Sequence, residues 1–169
     1  FGTLVYSGLV LGSGFSASAV EAAPGSKPMK VRWLLAHQPA DAFRRAAKTF
    51  NEQLKRETNG EMEIVVLEPK DVGSKTDNMD PRQIFDLLAK GDVELSQTVT
   101  TGIGTIEPNF YVLDLPFLFK NHEHASRVLE GKIGNKLLAS LEKNKLRGLA
   151  FTYSGGFRVI PSTQRPISS

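Results

Sequence analysis

Three short stretches carry side chains suited to gripping an anion: His37-Gln38, the hydroxyl-bearing run from Thr98 through Thr100 and Thr101 to Gly102, and Ser154-Gly155-Gly156-Phe157-Arg158. They offer an imidazole, an amide, hydroxyls, backbone N–H groups on glycine-flexible turns and one guanidinium. A planar guanidinium can hold a carboxylate by two parallel hydrogen bonds, which makes Arg158 the sharpest candidate. A surface arginine or a structural ion pair is the competing reading of that residue. The candidate ligand-binding set is therefore Arg158, His37, Gln38, Thr100 and Thr101.

Bond-making chemistry finds less support. His122 and His124 lie two apart, a spacing that sends them to different faces of a helix, so they do not form a zinc pair. Gly102-Ile103-Gly104 lacks the third glycine and the following helix of a nucleotide loop. There is no cysteine, hence no thiol nucleophile, and no Gly-x-Ser-x-Gly elbow. Asp77, Asp80, Asp86, Asp92 and Glu94 read as solvated acids at caps, helix ends and a strand's outer side. No catalytic residue, metal or cofactor is called for.

The elements that would position the anion-gripping stretches follow from periodicity. Val31–Ala36 reads as a buried strand stopped by Pro39. Phe43, Ala46, Ala47, Phe50 and Leu54 make one face of a helix that Asn59-Gly60 ends. Met62–Leu67 is the next strand. Asp80-Pro81 caps a helix with Ile84, Leu87 and Leu88 on its buried side and Gly91 as its stop. Val93–Val99 is a third strand, Asn121 caps a helical region interrupted near Gly131 and Gly134, Leu146–Tyr153 is a fourth strand and Phe157–Ile160 a short fifth. Strands alternating with helices predict an α/β fold with a mostly parallel sheet and helices on both faces. In such sheets ligands bind beyond the carboxyl ends of the strands, where all three stretches fall. Between the third and fourth strands, Val112-Leu113-Asp114-Leu115-Pro116-Phe117-Leu118-Phe119 is too rich in proline and aromatics for a regular element, and reads as a buried irregular connector. Its aromatic cluster, Phe110, Tyr111, Phe117 and Phe119, reads as core.

The ends bound the setting. Residues 1–15 are apolar and small, and Ser16 to Ala23 offers the small-residue pattern of signal cleavage, with acceptable sites after Ala19 and Ala22. A spanning helix needs about 18 apolar residues, and this run dissolves before that. Residues 1–22 are therefore read as an export signal and 23–169 as one domain, with no direct membrane insertion after cleavage and a periplasmic location. A formal charge of +3, with acids and bases interspersed, gives no nucleic-acid stripe.

Several pieces in order also resemble one family: Ala46-Ala47-Lys48-Thr49-Phe50, Asn59-Gly60, Leu67-Glu68-Pro69, Leu88 to Leu95, the Val112–Phe119 connector, Leu146 to Phe151 and Gly156-Phe157-Arg158. Together they resemble the solute-binding proteins of tripartite ATP-independent periplasmic (TRAP) transporters, the DctP-like family. The resemblance implies a type II periplasmic-binding-protein lobe, here an incomplete part of a two-lobed architecture. It also implies capture of a small organic anion, a carboxylate in most members, for delivery to integral-membrane transporter subunits, and a carboxylate-contacting role for Arg158. The Lys70–Met79 loop is longer than the family's usual turn. Two readings compete: a periplasmic α/β hydrolase with its catalytic residues elsewhere, and the binding lobe of a sensor.

Overall fold

The computed structural model describes residues 4–12, 27–37 and 40–157. A first strand, β1 (Leu4–Gly12), is followed by β2 (Met29–Leu34), helix α1 (Ala40–Glu57), β3 (Met62–Leu67) and a 3-10 turn at Pro69–Val72. Helix α2 (Pro81–Lys90), β4 (Leu95–Val99), the short helix α3 (Thr100–Gly104) and a 3-10 turn at Pro108–Asp114 come next. The chain continues through α4 (His122–Leu129), α5 (Lys132–Ser140), a 3-10 turn at Leu141–Asn144 and β5 (Leu146–Phe157).

The five strands form one sheet in the order β3-β2-β4-β1-β5. β2 runs parallel to both β3 and β4, whereas β1 runs antiparallel to β4 and β5. Both neighbours of β1 therefore point the same way, and the sheet is mostly parallel. Two apolar layers sandwich it. On one face α1 lays Phe43 and Ala47 over Val31, Trp33, Leu35, Ile64 and Leu95. On the other, α2, α4, α5 and the connector bury Ile84, Leu88, Ile103, Phe110, Leu113, Leu129 and Leu141 around Leu34. The α/β lobe expected from the alternating elements is the observed fold.

Local chemistry explains the boundaries. The Asp80 carboxylate accepts from the Arg82 N–H at 2.8 Å, Pro81 occupies the first position of α2, and Gly91 closes the helix at φ 76°. Asn121 caps α4 by accepting from the His124 N–H at 2.8 Å. Asn51 of α1 accepts from the Ile64 N–H at 2.7 Å and so pins that helix to β3.

Leu4–Gly12, read as part of an export signal, pairs here as β1; a strand in the uncleaved chain leaves the matter of cleavage untouched. Other expectations need correction. The fourth strand runs on from Tyr153 to Phe157, and residues 158–160 of the expected fifth lie outside the described residues. Thr100-Thr101-Gly102, expected to trail the third strand as a loop, opens the short helix α3 (Thr100–Gly104) instead. Glu94 is no solvated acid: it forms an ion pair with Arg32, accepts from the Arg32 backbone N–H at 2.7 Å, and ties β2 to the start of β4. Burial pushes the Glu94 carboxyl up, but hydrogen bonds from the Arg32 guanidinium and N–H outweigh it and hold the group below its ordinary value. The aromatic cluster of the connector is split. Phe110 and Phe119 are core, while Tyr111 is 46% and Phe117 63% exposed, the latter at a left-handed φ of 61°.

Glu107 is fully buried just ahead of the connector. Its carboxylate accepts from the Asn109 amide at 2.7 Å and pairs with the Lys143 ammonium, which reaches in from the surface. The Lys143 bond, opposed by burial, keeps this carboxyl below the ordinary range. Since the Asn144 amide also donates to the Ile106 carbonyl at 3.4 Å, the 3-10 turn before β5 is fastened to the start of the connector.

Candidate functional site at the strand tips

The register aligns Leu34 of β2 with Ser96 of β4, so the residues that follow each strand emerge side by side at one edge of the sheet. That edge holds His37 from β2, Glu68 and Pro69 from β3, and Thr100 and Thr101 from β4. β5 runs in the same direction as β4 and ends at Phe157. Of the residues expected to bind ligand, His37, Thr100 and Thr101 are brought to this edge. Gln38 and Arg158 lie outside the described residues.

His37 is half-buried, its ring 6.4 Å from that of Phe43 on α1. Burial pushes its pKa below the ordinary histidine value, so at neutral pH the edge presents a neutral imidazole. A neutral imidazole donates through one nitrogen and accepts through the other, which suits a hydroxyl as well as a carboxylate.

Thr100 opens α3 and is 1% exposed. Its hydroxyl donates to Asp114 Oδ1 at 3.1 Å, which clamps the connector to the tip of β4. Thr101, the next residue, faces solvent. Sequence reasoning missed Asp114 as a partner, because fourteen residues and an irregular segment separate it from Thr100; an acid flanked by leucines in an apolar run was the available signal.

A second missed feature is the approach of α2. A Cβ at Gly102 would lie 2.9 Å from Pro81 Cγ and 2.8 Å from the Thr98 hydroxyl oxygen. Only glycine there lets the Asp80-capped end of α2 rest against α3 beside Thr101. The longer loop after β3 adds its own ordered turns: Thr76 Oγ donates to the Asn78 carbonyl at 2.8 Å and Ser74 Oγ to the Thr76 carbonyl at 3.0 Å.

The remaining histidines belong to the first turn of α4, and the strand register puts Tyr153 of β5, on which His122 packs, level with Thr100. His124 packs on Phe119 with rings 5.8 Å apart, and His122 on Tyr153 at 5.2 Å. Among the described residues, no group of three or more His, Asp or Glu is disposed to hold a metal ion, and no helix is long and apolar enough to cross a membrane.

What this edge can do chemically is hydrogen-bond a small polar molecule from one side. Among the described residues it offers the exposed Thr101 hydroxyl and the half-buried His37 imidazole.

Comparison with known proteins agrees with that geometry. The family model for DctP, bacterial extracellular solute-binding protein family 7, matches residues 36–169. The C4-dicarboxylate-binding protein DctB of Bacillus subtilis is 31% identical over 73% of this chain and 33% of its own length. The 2,3-diketo-L-gulonate-binding periplasmic protein YiaO of Escherichia coli is 28% identical over 73% of this chain and 36% of its own. Among solved structures, the sugar acid binding protein of Advenella mimigardefordensis in complex with galactonate superposes with a TM-score of 0.59 at 30% identity, covering 70% of this chain and 36% of that one. The chain thus spans about a third of the length of these relatives. With a family match running from the end of β2 through Arg158, and with the same lobe in the solved relatives, this chain belongs to the DctP family of bacterial extracellular solute-binding proteins.

Proposed function

We propose that the protein carrying this chain is an extracytoplasmic receptor that captures a small organic acid, through its carboxylate, and presents it to the integral-membrane subunits of a TRAP-type transporter. One observation carries this reading. The carboxyl ends of β2, β3 and β4 converge with hydrogen-bonding groups at a single edge, in a chain whose relatives are named for binding C4-dicarboxylates and 2,3-diketo-L-gulonate. The family consists of receptors, so the hydrolase alternative is set aside.

In this reading Arg158 supplies the guanidinium for the carboxylate, with His37, Gln38, Thr100 and Thr101 around it. Thr100 acts mainly by holding Asp114, and Thr101 faces the ligand. A tight pocket buries about 70–90% of its ligand, which one lobe cannot do, so binding belongs to the full-length protein.

The test is titration calorimetry of the full-length protein against galactonate, succinate and 2,3-diketogulonate, with and without Arg158→Ala. Loss of one charge-assisted contact worth roughly 1.5–3 kcal/mol weakens binding at least about tenfold. Unchanged affinity assigns Arg158 to the scaffold.

The reading includes export through residues 1–22. Mass spectrometry of the exported protein is expected to find an N-terminus at Val20 or Ala23. A mature chain that retains Leu4–Gly12 would instead keep those residues as β1.

A further inference from the structure

Among the described residues β1 is the only antiparallel strand, and it lies inside the sheet, paired on one side to β4 and on the other to β5. The usual strand spacing puts β4 and β5 about 9.5 Å apart, too far to bond to each other. Without β1 they would face one another across a slot, each with a row of unpaired N–H and C=O groups. Neither wall is free to close it. β4 is paired to β2 and leads into α3. β5 is held to α4 by the Tyr153 hydroxyl, 2.7 Å from that of Ser126, and lies so close to α5 that a Cβ on Gly148 would fall 2.9 Å from the Leu138 Cα. Yet β1 belongs to residues 1–22, read as an export signal, and cleavage after Ala19 or Ala22 takes it away. Its position also bears on the candidate site. Ser7 stands opposite Val99, the last residue of β4, so Leu4 to Tyr6 run past that tip, and Leu4 pairs with Phe157, the residue before Arg158.

From this placement we infer that the leader is an autoinhibitory strand. In the uncleaved protein it occupies the slot between β4 and β5, projects across the ligand edge and prevents capture of the organic acid, until cleavage opens the slot to a strand from the chain that follows residue 169. The inference rests on the receptor reading and on export through residues 1–22. Relatives about three times as long as this chain leave room for such a strand. The leader has the advantage of order, because it, β4 and β5 are all synthesised before any residue past 169, so leader and slot meet first. Cleavage removes that advantage. Detached from β2, the leader becomes a free peptide, and its effective concentration at the slot falls from about the millimolar range of a short link to its concentration in bulk.

The experiment compares two forms of the full-length protein, a long form that keeps residues 1–22 and a short form that begins at Ala23, each refolded from urea. Both are titrated calorimetrically with galactonate, succinate and 2,3-diketogulonate and followed by hydrogen exchange. Residues 4–12 are expected to be protected in the long form. The long form is also expected to bind whichever acid the short form binds at least about tenfold more weakly, the loss when the leader holds the slot in about nine-tenths of the molecules. Leu9→Pro in the long form, at a position paired with Gln97 and Ala150, removes a ladder donor and is expected to abolish the protection and restore the affinity of the short form. Gly8→Pro, paired with Thr98 and Phe151, repeats the test on the neighbouring residue. The inference is overturned if the two forms bind alike, if residues 4–12 exchange freely in the long form, or if both proline variants keep the weak binding. It is equally overturned if the short form or both proline variants fail to fold, or if the exported protein retains residues 4–12, since β1 would then be a permanent strand. If neither form binds any of the three acids, the receptor reading fails, and protection of residues 4–12 with its loss on proline substitution still decides whether the leader holds the slot.

Discussion

Replacing Gly134 by alanine is expected to destabilise the protein by about 2–3 kcal/mol, the upper range for forcing extra volume into packed structure. Ordinary helix economy predicts the opposite sign, because Gly134 sits inside α5 and alanine there normally gains up to about 1 kcal/mol. The deciding observation is that a Cβ on Gly134 would fall 1.7 Å from the carbonyl oxygen of Leu129, the last residue of α4. That oxygen belongs to backbone, so no side-chain rotation relieves the overlap. Relief requires α5 to slide away from α4, and the buried Leu137, Leu138 and Leu129 lose their packing as it does. A urea titration measures this, with Gly155→Ala as the control. Gly155 lies on β5 with nothing within 4 Å of its would-be Cβ, so that change should stay within about 0.5 kcal/mol. Equal midpoints for the two variants would mean that α4 and α5 do not meet as closely as described.

The same residue shows how legibility divides along this chain. Features set by one local segment were readable: the Asp80-Pro81 start and Gly91 stop of α2, the limits of β3 at Met62 and Leu67, and the cap at Asn121 all follow from side chains acting on backbone within four residues. A break near Gly131 and Gly134 was readable too, but the reason for glycine at 134 was not, because it lies in a contact between two helices. Long-range partnerships share that opacity. Nothing in the order of residues announces that Arg32 meets Glu94, that Thr100 meets Asp114, or that Pro81 leans on Gly102. Composition misled most in the connector, where four aromatics in ten residues suggested uniform burial and the backbone instead turned two of them outward. At the candidate site, the edge was legible from the strand and helix alternation. The state of its groups was not, since the neutral form of His37 depends on burial beside Phe43, and the engagement of the Thr100 hydroxyl on a residue from the connector.

Truncating Phe110 is expected to have the largest single effect of any substitution considered, about 3–5 kcal/mol for Phe110→Ala. Phe110 is fully buried, and its ring lies 6.1 Å from that of Phe151 on β5 at an interplanar angle of 39°. With Leu113 and Phe119 it is one of the buried points at which the connector, which exposes Tyr111, Val112, Leu115 and Phe117, is anchored to the layer between sheet and helices. Alanine leaves a cavity the size of a ring, walled by the sheet on one side and by helices pinned at their own caps on the other, so collapse fills it only in part. Phe110→Leu keeps most of the volume and should cost less than about 1.5 kcal/mol. Phe117→Ala, at an exposed position of the same connector, should change the urea midpoint far less than Phe110→Ala, since a 63% exposed ring buries little surface. The consequence reaches the strand tips, because the segment that Phe110 anchors carries Asp114 to Thr100. Hydrogen exchange on the Phe110→Leu variant should therefore show faster exchange at residues 111–119 and at the start of α3 before the remaining sheet responds. Unaltered exchange in those segments would mean that Asp114 and Thr100 hold the connector without help from the buried ring.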